Sequence, residues 1–286
     1  MSAPNRSDAN FVSPQVDGDG RRLQPSPSFR LSNQLIGMKV VSPKGDPLGR
    51  IEDLVVHPGD EASYVVLSFG GWLGVGDKYF AMPWSVLKPG HQGSSVGHGE
   101  NSLVLPLDKE RLEAAPGIAR ENWPARANVD WTRDVNAFYA GHANPNTGGA
   151  LGESPTAPLL TSSFSELEGA KVTAPDGTKL GHIEGLAVDS DGQVAYAALS
   201  VGGFLGIGER TVAVPWGALR FASALEQGDA PRITLATDRE RIENAPLFEG
   251  TPEHAATMCD PAWIARVHEH FAVTPQRVDG GPSHVG

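Results

Sequence analysis

One cysteine in 286 residues, Cys259, excludes an internal disulfide and any zinc site built from four cysteines or from a cysteine pair and a histidine pair. Long apolar runs are missing as well. A membrane-spanning helix needs roughly 18 or more apolar residues, and the nearest stretch, AYAALSVGGFLGIG from Ala195 to Gly208, is short and broken by glycine. The first ten residues, MSAPNRSDAN, hold no apolar core, so no signal peptide is expected and a cytoplasmic location is the default. Basic charge is scarce: 23 Lys and Arg face 34 Asp and Glu, for a formal net charge of −11. That balance does not suit a protein gripping phosphate backbones, so direct nucleic-acid binding is not expected. Charged residues make up only 20%, whereas 34 Gly and 23 Pro together approach a fifth of the chain. Such a mixture favours short strands and many turns over long helices.

What is present is a repeat. Leu35–Lys88 and Leu167–Arg220 align without a gap at an offset of 132, with 24 of 54 positions identical. Chance would give only about three or four matches at ordinary composition. The match resumes at an offset of 130 as LVLPLDKERLEAAP against ITLATDRERIENAP, and returns to 132 where Trp131, Val135 and Tyr139 face Trp263, Val267 and Phe271. Units this long can each bury a core, so the pattern is a tandem duplication of whole domains rather than a solenoid. The expected organisation is a disordered tail at 1–31, unit 1 at 32–142, a flexible linker at 143–163, unit 2 at 164–274 and a tail at 275–286. Charge divides unevenly: unit 1 carries 10 bases and 13 acids, unit 2 carries 8 bases and 16 acids. The acidic second copy is therefore not expected to meet the same surface as the first.

Each unit reads as five or six short strands with late helices, the pattern of a small β-barrel. Pro43-Lys-Gly45 and Pro175-Asp-Gly177 supply the fixed φ and the positive φ of a tight turn after the first strand. In the second strand Ile51 and Leu54 have opposite parity, as do Ile183 and Leu186, which a β-bulge reconciles. Tyr64–Phe69 is apolar on both faces. Asp108 is placed as an N-cap for a helix that Pro116 stops, and Asp130–Tyr139 as a terminal helix.

The doubled run G-x-K-V, G-x-x-L-G-x-I-E-x-L, G-G-x-L-G-x-G and P-W-x-x-L resembles the PRC-barrel family, named for the cytoplasmic domain of the photosynthetic reaction-centre H subunit. The endings VDWTRDVNAFYA and DPAWIARVHEHFA are similar to bacterial stand-alone and H-subunit-like versions. The resemblance implies a mainly β chain of two tandem small β-barrels, each with short C-terminal helices, plus disordered tails and linker. By analogy it also implies two settings: an accessory that caps a membrane photosystem and helps protons reach a quinone, and a ribosome-maturation factor that docks on a small-subunit protein. The polar residues 1–31 cannot supply the H subunit's membrane helix, and the maturation factor pairs its barrel with a different one.

Candidate sites follow from the repeat. The glycine runs 70–76 and 202–208 are not phosphate loops, because a strand and not a helix follows them. Trp72, Leu73, Val75, Phe204, Leu205 and Ile207 within these runs either close the barrel end, the favoured reading, or protrude as an interaction patch. The recurring carboxylates Glu52 and Glu184 are read as strand-face hydrogen-bond or ion-pair partners, with proton relay as the alternative. His268 and His270 stand two apart on a helix and so cannot readily share a metal. Pro83-Trp84 and Pro215-Trp216 are expected to anchor the core. No nucleophile has its base, so no catalytic, cofactor-binding or metal site is assigned and an enzyme is not expected. The expected role is a non-enzymatic scaffold that binds a protein partner, its two barrels pairing within the chain in place of a homodimer. An accessory of an electron-transfer membrane complex, held peripherally, is the alternative.

Overall fold

The computed structural model describes residues 29–56, 62–69, 78–89, 102–123, 129–142, 162–204, 207–222, 232–248 and 257–274. Unit 1 comprises β1 (Arg30–Leu31), α1 (Ser32–Leu35), β2 (Lys39–Val41), β3 (Pro47–Val56), β4 (Ala62–Phe69), β5 (Lys78–Pro83), a 3-10 turn (Trp84–Val86), β6 (Lys88–Pro89), β7 (Ser102–Val104), α2 (Lys109–Glu113), β8 (Gly117–Ala119) and α3 (Val129–Tyr139). Unit 2 comprises β9 (Ser162–Ser163), α4 (Phe164–Leu167), β10 (Lys171–Thr173), β11 (Lys179–Val188), β12 (Val194–Phe204), β13 (Ile207–Pro215), a 3-10 turn (Trp216–Ala218), β14 (Leu219–Ala222), β15 (Arg232–Leu235), α5 (Arg239–Glu243) and α6 (Pro261–Phe271). No helix among the described residues is long and apolar enough to cross a membrane.

The sheets run β6-β7-β2-β3-β4-β5-β8 in unit 1 and β13-β12-β11-β10-β15-β14 in unit 2. In unit 1, β5 and β6 are five strand spacings apart in that order, about 24 Å if the sheet were flat. The chain from Pro83 to Lys88 reaches only about 18 Å at full stretch. Unit 2 meets the same constraint between Pro215 and Leu219. Each sheet must therefore curl on itself, and the Pro-Trp turn is the clasp that sets the closure.

The expected bulge is present in both copies: register shifts between Ile51 and Asp53 against β4, and between Ile183 and Gly185 against β12. It lets Ile51 and Leu54, like Ile183 and Leu186, enter the same core. The turn glycines Gly45 and Gly177 have φ of 88° and 89°. Asp108 caps α2 through the Arg111 N–H, and Asp238 caps α5 through the Arg241 N–H. The doubly apolar strands have a simple cause. Ala197, Leu199 and Val201 of β12 face the central core, while Tyr196 and Ala198 join a second cluster with Trp263 and Val267 of α6. In unit 1, the Tyr64 hydroxyl donates to Asn136 Oδ1 of α3 at 3.0 Å. The terminal helix of each unit thus covers the outer face of the barrel.

The barrels are not separate. β1 pairs antiparallel with β11 of unit 2, Leu31 opposite Ala187, and β9 pairs with β3 of unit 1, Ser163 opposite Val55. These are equivalent contacts at the 132-residue offset, so the exchange is reciprocal. β2 and β10 cover only the first half of the long edges of β3 and β11. The exchanged strand of the other unit takes up the vacant half, where backbone groups would otherwise lack partners. α1 and α4 carry the chain back to its own barrel, and Leu35 and Leu167, both fully buried, sit in one core that includes residues of both units. Two boundaries read from the sequence need correction. Phe29–Leu31 and Ser162–Ser163 fall in the expected tail and linker, because short polar or mixed stretches look unstructured alone. Their order comes from pairing with the other unit.

Candidate functional site

The richest polar constellation lies where α4 of unit 2 meets the β3 bulge of unit 1. Asp53 is 2% exposed yet carries four donors. Its Oδ1 accepts from the Leu54 N–H at 2.8 Å and the Ser165 N–H at 3.1 Å. Its Oδ2 accepts from the Ser165 hydroxyl at 2.6 Å and from Trp123 Nε1 at 3.0 Å. A buried carboxylate is tolerated when its lone pairs are filled in this way. The position of α4 is itself locally encoded: Ser163 and Glu166 form a reciprocal capping box, the Ser163 hydroxyl accepting from the Glu166 N–H and Glu166 Oε2 accepting from the Ser163 N–H.

The pseudo-symmetric location in unit 2 has Gly185 instead of an aspartate. The bulge N–H there, of Leu186, donates at 3.1 Å to the Ser32 hydroxyl of α1. A Cβ on Gly185 would stand 3.4 Å from that same oxygen. One copy supplies its own acceptor, and the other borrows it from its neighbour.

A second joint forms around Trp84. Its Nε1 donates to the Ser190 carbonyl of the β11–β12 turn at 3.1 Å. Gly192 in that turn has φ of 86°, and a Cβ there would fall 2.3 Å from Trp84 Cγ. The turn is built on Asp189, whose Oδ1 accepts from the Asp191 N–H at 2.9 Å and the Gln193 N–H at 2.8 Å. Burial pushes the Asp189 carboxyl up to about 6, assisted by the charge of Asp191 and opposed by the hydrogen bonds from the turn backbone. Trp84 is buried as expected of a core anchor, but part of what it anchors is the other unit. Trp216 is also buried and stacks at 4.7 Å on Phe221 of its own unit.

The residues singled out from sequence fall elsewhere. Glu52 is exposed and accepts from the Ser68 hydroxyl at 2.7 Å; Glu184 is exposed and accepts from the Thr211 hydroxyl at 2.8 Å. Trp72, Leu73, Val75 and Leu205 lie outside the described residues. So do the side chains of Phe204 and Ile207, whose backbones pair across the β12–β13 hairpin. His268 Nδ1 donates to the Ile264 carbonyl at 2.9 Å, while His270 Nε2 donates to the Arg241 carbonyl at 2.8 Å. The two imidazoles thus serve different partners. Among the described residues no three His, Cys, Asp or Glu side chains form a metal-ligand group. Burial raises the Cys259 thiol above its ordinary range.

Two curled sheets with equivalent bulges, turns and Pro-Trp clasps, covering equivalent segments, coincide with what comparison finds. Residues 27–94 and 161–232 each match the PRC-barrel domain family. The chain is a tandem PRC-barrel protein. No curated protein matches it. Both PRC-barrel segments include their leading strand and one-turn helix, so each barrel's own family-matched sequence begins on its neighbour.

Asp53 is invisible to a reading that favours recurring residues, because its counterpart is Gly185. The available signal is that difference, an acid facing a glycine at the bulge of an otherwise matching strand.

Proposed function

We propose that this tandem PRC-barrel protein is a non-enzymatic scaffold that docks a protein partner across both barrels. One observation carries the reading: reciprocal strand exchange joins two related but unequally charged barrels, net −3 and −8, through a shared core. Such a body presents two unlike surfaces at fixed separation, which favours bivalent docking over two independent weak contacts. The non-enzymatic part is supported by how reactive side chains are used. Glu52, Glu184, His268 and His270 are engaged by hydroxyls or backbone carbonyls of their own unit. The setting proposed is the bacterial cytoplasm, including the inner face of the plasma membrane.

Affinity purification of the full chain from native membranes and from cytosol tests the proposal. A stoichiometric protein partner that is lost when either barrel's outer face is altered supports it. Turnover of a small molecule by the purified chain overturns it. Recovery with an electron-transfer membrane complex selects the H-subunit-like accessory role, and recovery with small ribosomal subunits selects maturation.

A further inference from the structure

Duplication gives most side chains of one unit a counterpart in the other, and one aligned pair of arginines is used in two ways. In unit 2, Arg241 of α5 is tied to the terminal helix. Its Nε donates to the His270 carbonyl at 2.8 Å, its Nη2 donates to the same oxygen, and His270 Nε2 donates in return to the Arg241 carbonyl at 2.8 Å. In unit 1 the aligned residues are Arg111 and Phe138. Phenylalanine has no ring nitrogen to close that exchange. The Arg111 guanidinium instead lies over the Phe138 ring, 5.6 Å from its centroid. Among the described residues its side-chain N–H groups have no acceptor.

Arg111 lines a groove of about 520 Å³ between α2 and the end of α3, to which Pro106, Leu107 and Ala114 add apolar surface. His142, three residues beyond α3, lines it as well, and its Nδ1 is shielded from solvent with no hydrogen-bond partner among the described residues. Buried polar atoms without partners are costly. A guanidinium already held over a ring has less freedom to lose on binding, and its fork matches a carboxylate. The groove is also lined by Asp108 and Glu110, both exposed. A run of acids is therefore repelled there, whereas a segment that carries a base beside its acid meets both signs of charge.

We infer that this groove of unit 1 is a docking site for a peptide segment of the protein partner in which an apolar residue stands between an acid and a base. Arg111 holds the carboxylate, the apolar residue covers Leu107 and its neighbours, and Asp108 and Glu110 receive the base. Unit 2 has no equivalent site, because Arg241 is taken by its own terminal helix. The inference rests on the scaffold reading and names the chemistry of its partner.

The test titrates acetyl-Lys-Leu-Glu-amide into the full chain and follows the Arg111 Nε–H and His142 ring signals by NMR. Both should shift and saturate, with a Kd in the millimolar range. Arg111→Gln, followed at His142, should weaken binding at least fivefold, because a charge-assisted pair is lost. Arg241→Gln should leave the Kd within twofold. Acetyl-Glu-Leu-Glu-amide should bind at least threefold more weakly. Failure to saturate, an unchanged Kd in Arg111→Gln, or an equal loss in Arg241→Gln would overturn the inference. So would acetate, or the all-acid peptide, binding as well as the first probe. A native partner recovered undiminished on Arg111→Gln would overturn the site and leave the scaffold reading standing. If no partner is recovered at all, the scaffold reading fails, and the titration still decides whether the groove takes such a segment.

Discussion

Ser165 donates both its backbone N–H and its hydroxyl to the carboxylate of Asp53, at 3.1 and 2.6 Å, across 112 residues of sequence. The two residues belong to different copies of the repeat, and their bond closes one of two equivalent exchanges. The tandem barrels consequently share core and hydrogen-bond network.

Removing Asp53 is the most direct test of that joint. Asp53→Ala leaves the Leu54 N–H, the Ser165 N–H and Trp123 Nε1 without acceptors inside the protein. The expected loss is about 3–5 kcal/mol of unfolding free energy, because each stranded buried donor is costly. Asp53→Asn keeps one acceptor oxygen and should lose about half as much. Urea unfolding of the three proteins measures both.

Asp189 gives stability a pH dependence with a definite sign. Its folded-state pKa of about 6 lies above the ordinary aspartate value of 3.8. Between those values the folded state holds the proton more tightly than the unfolded state. The contribution of this group is therefore greatest below about pH 4, falls as pH rises to 6, and is level above. The shift corresponds to about 3 kcal/mol. Asp189→Asn retains the oxygen that faces the Asp191 and Gln193 N–H groups but cannot ionise. Urea midpoints measured from pH 4 to 7 should fall relative to the variant for the natural protein across that window; parallel curves would refute the assignment.

Gly181 is required for closeness and not for an unusual backbone angle. A Cβ there would stand 2.3 Å from the Ser200 carbonyl oxygen and 3.0 Å from Val201 Cγ1. Gly181→Ala should push β11 from β12 at the curl of the barrel and cost about 1–3 kcal/mol. A thermal melt showing no loss would contradict the packing described.

Tyr139 predicts a gain. Its side chain is fully buried, and among the described residues its hydroxyl has no hydrogen-bond partner. Burial accordingly pushes its pKa well above the usual tyrosine range. Tyr139→Phe deletes an unpaired polar group, so stability should rise by about 1 kcal/mol. Unit 2 already has Phe271 at the equivalent position. A loss on substitution would reveal a partner for the hydroxyl.

Duplication, bulge, turn and cap were all legible in the chain because each is written in neighbouring residues. Ile51 and Leu54 could not share a core without a bulge, Gly45 and Gly177 mark positive φ, and Asp108 stands one residue before its helix. A repeated pattern also points naturally to Glu52 and Glu184, which recur, and these lie at the surface against Ser68 and Thr211. Asp53 does not recur. Its importance comes from Ser165 and Trp123, which no local pattern brings near it.

By itself, then, the sequence determined two PRC-barrels and the local geometry of their strands, since strand periodicity, turn glycines and helix caps act over a few residues. Tertiary structure alone decided which barrel each leading strand joins. A two-residue strand such as Arg30–Leu31 has the same backbone donors and acceptors whichever edge it meets. The choice is made by the free half-edge of β11, the turn that receives Trp84, and the carboxylate waiting for Ser165, all more than 100 residues away along the chain.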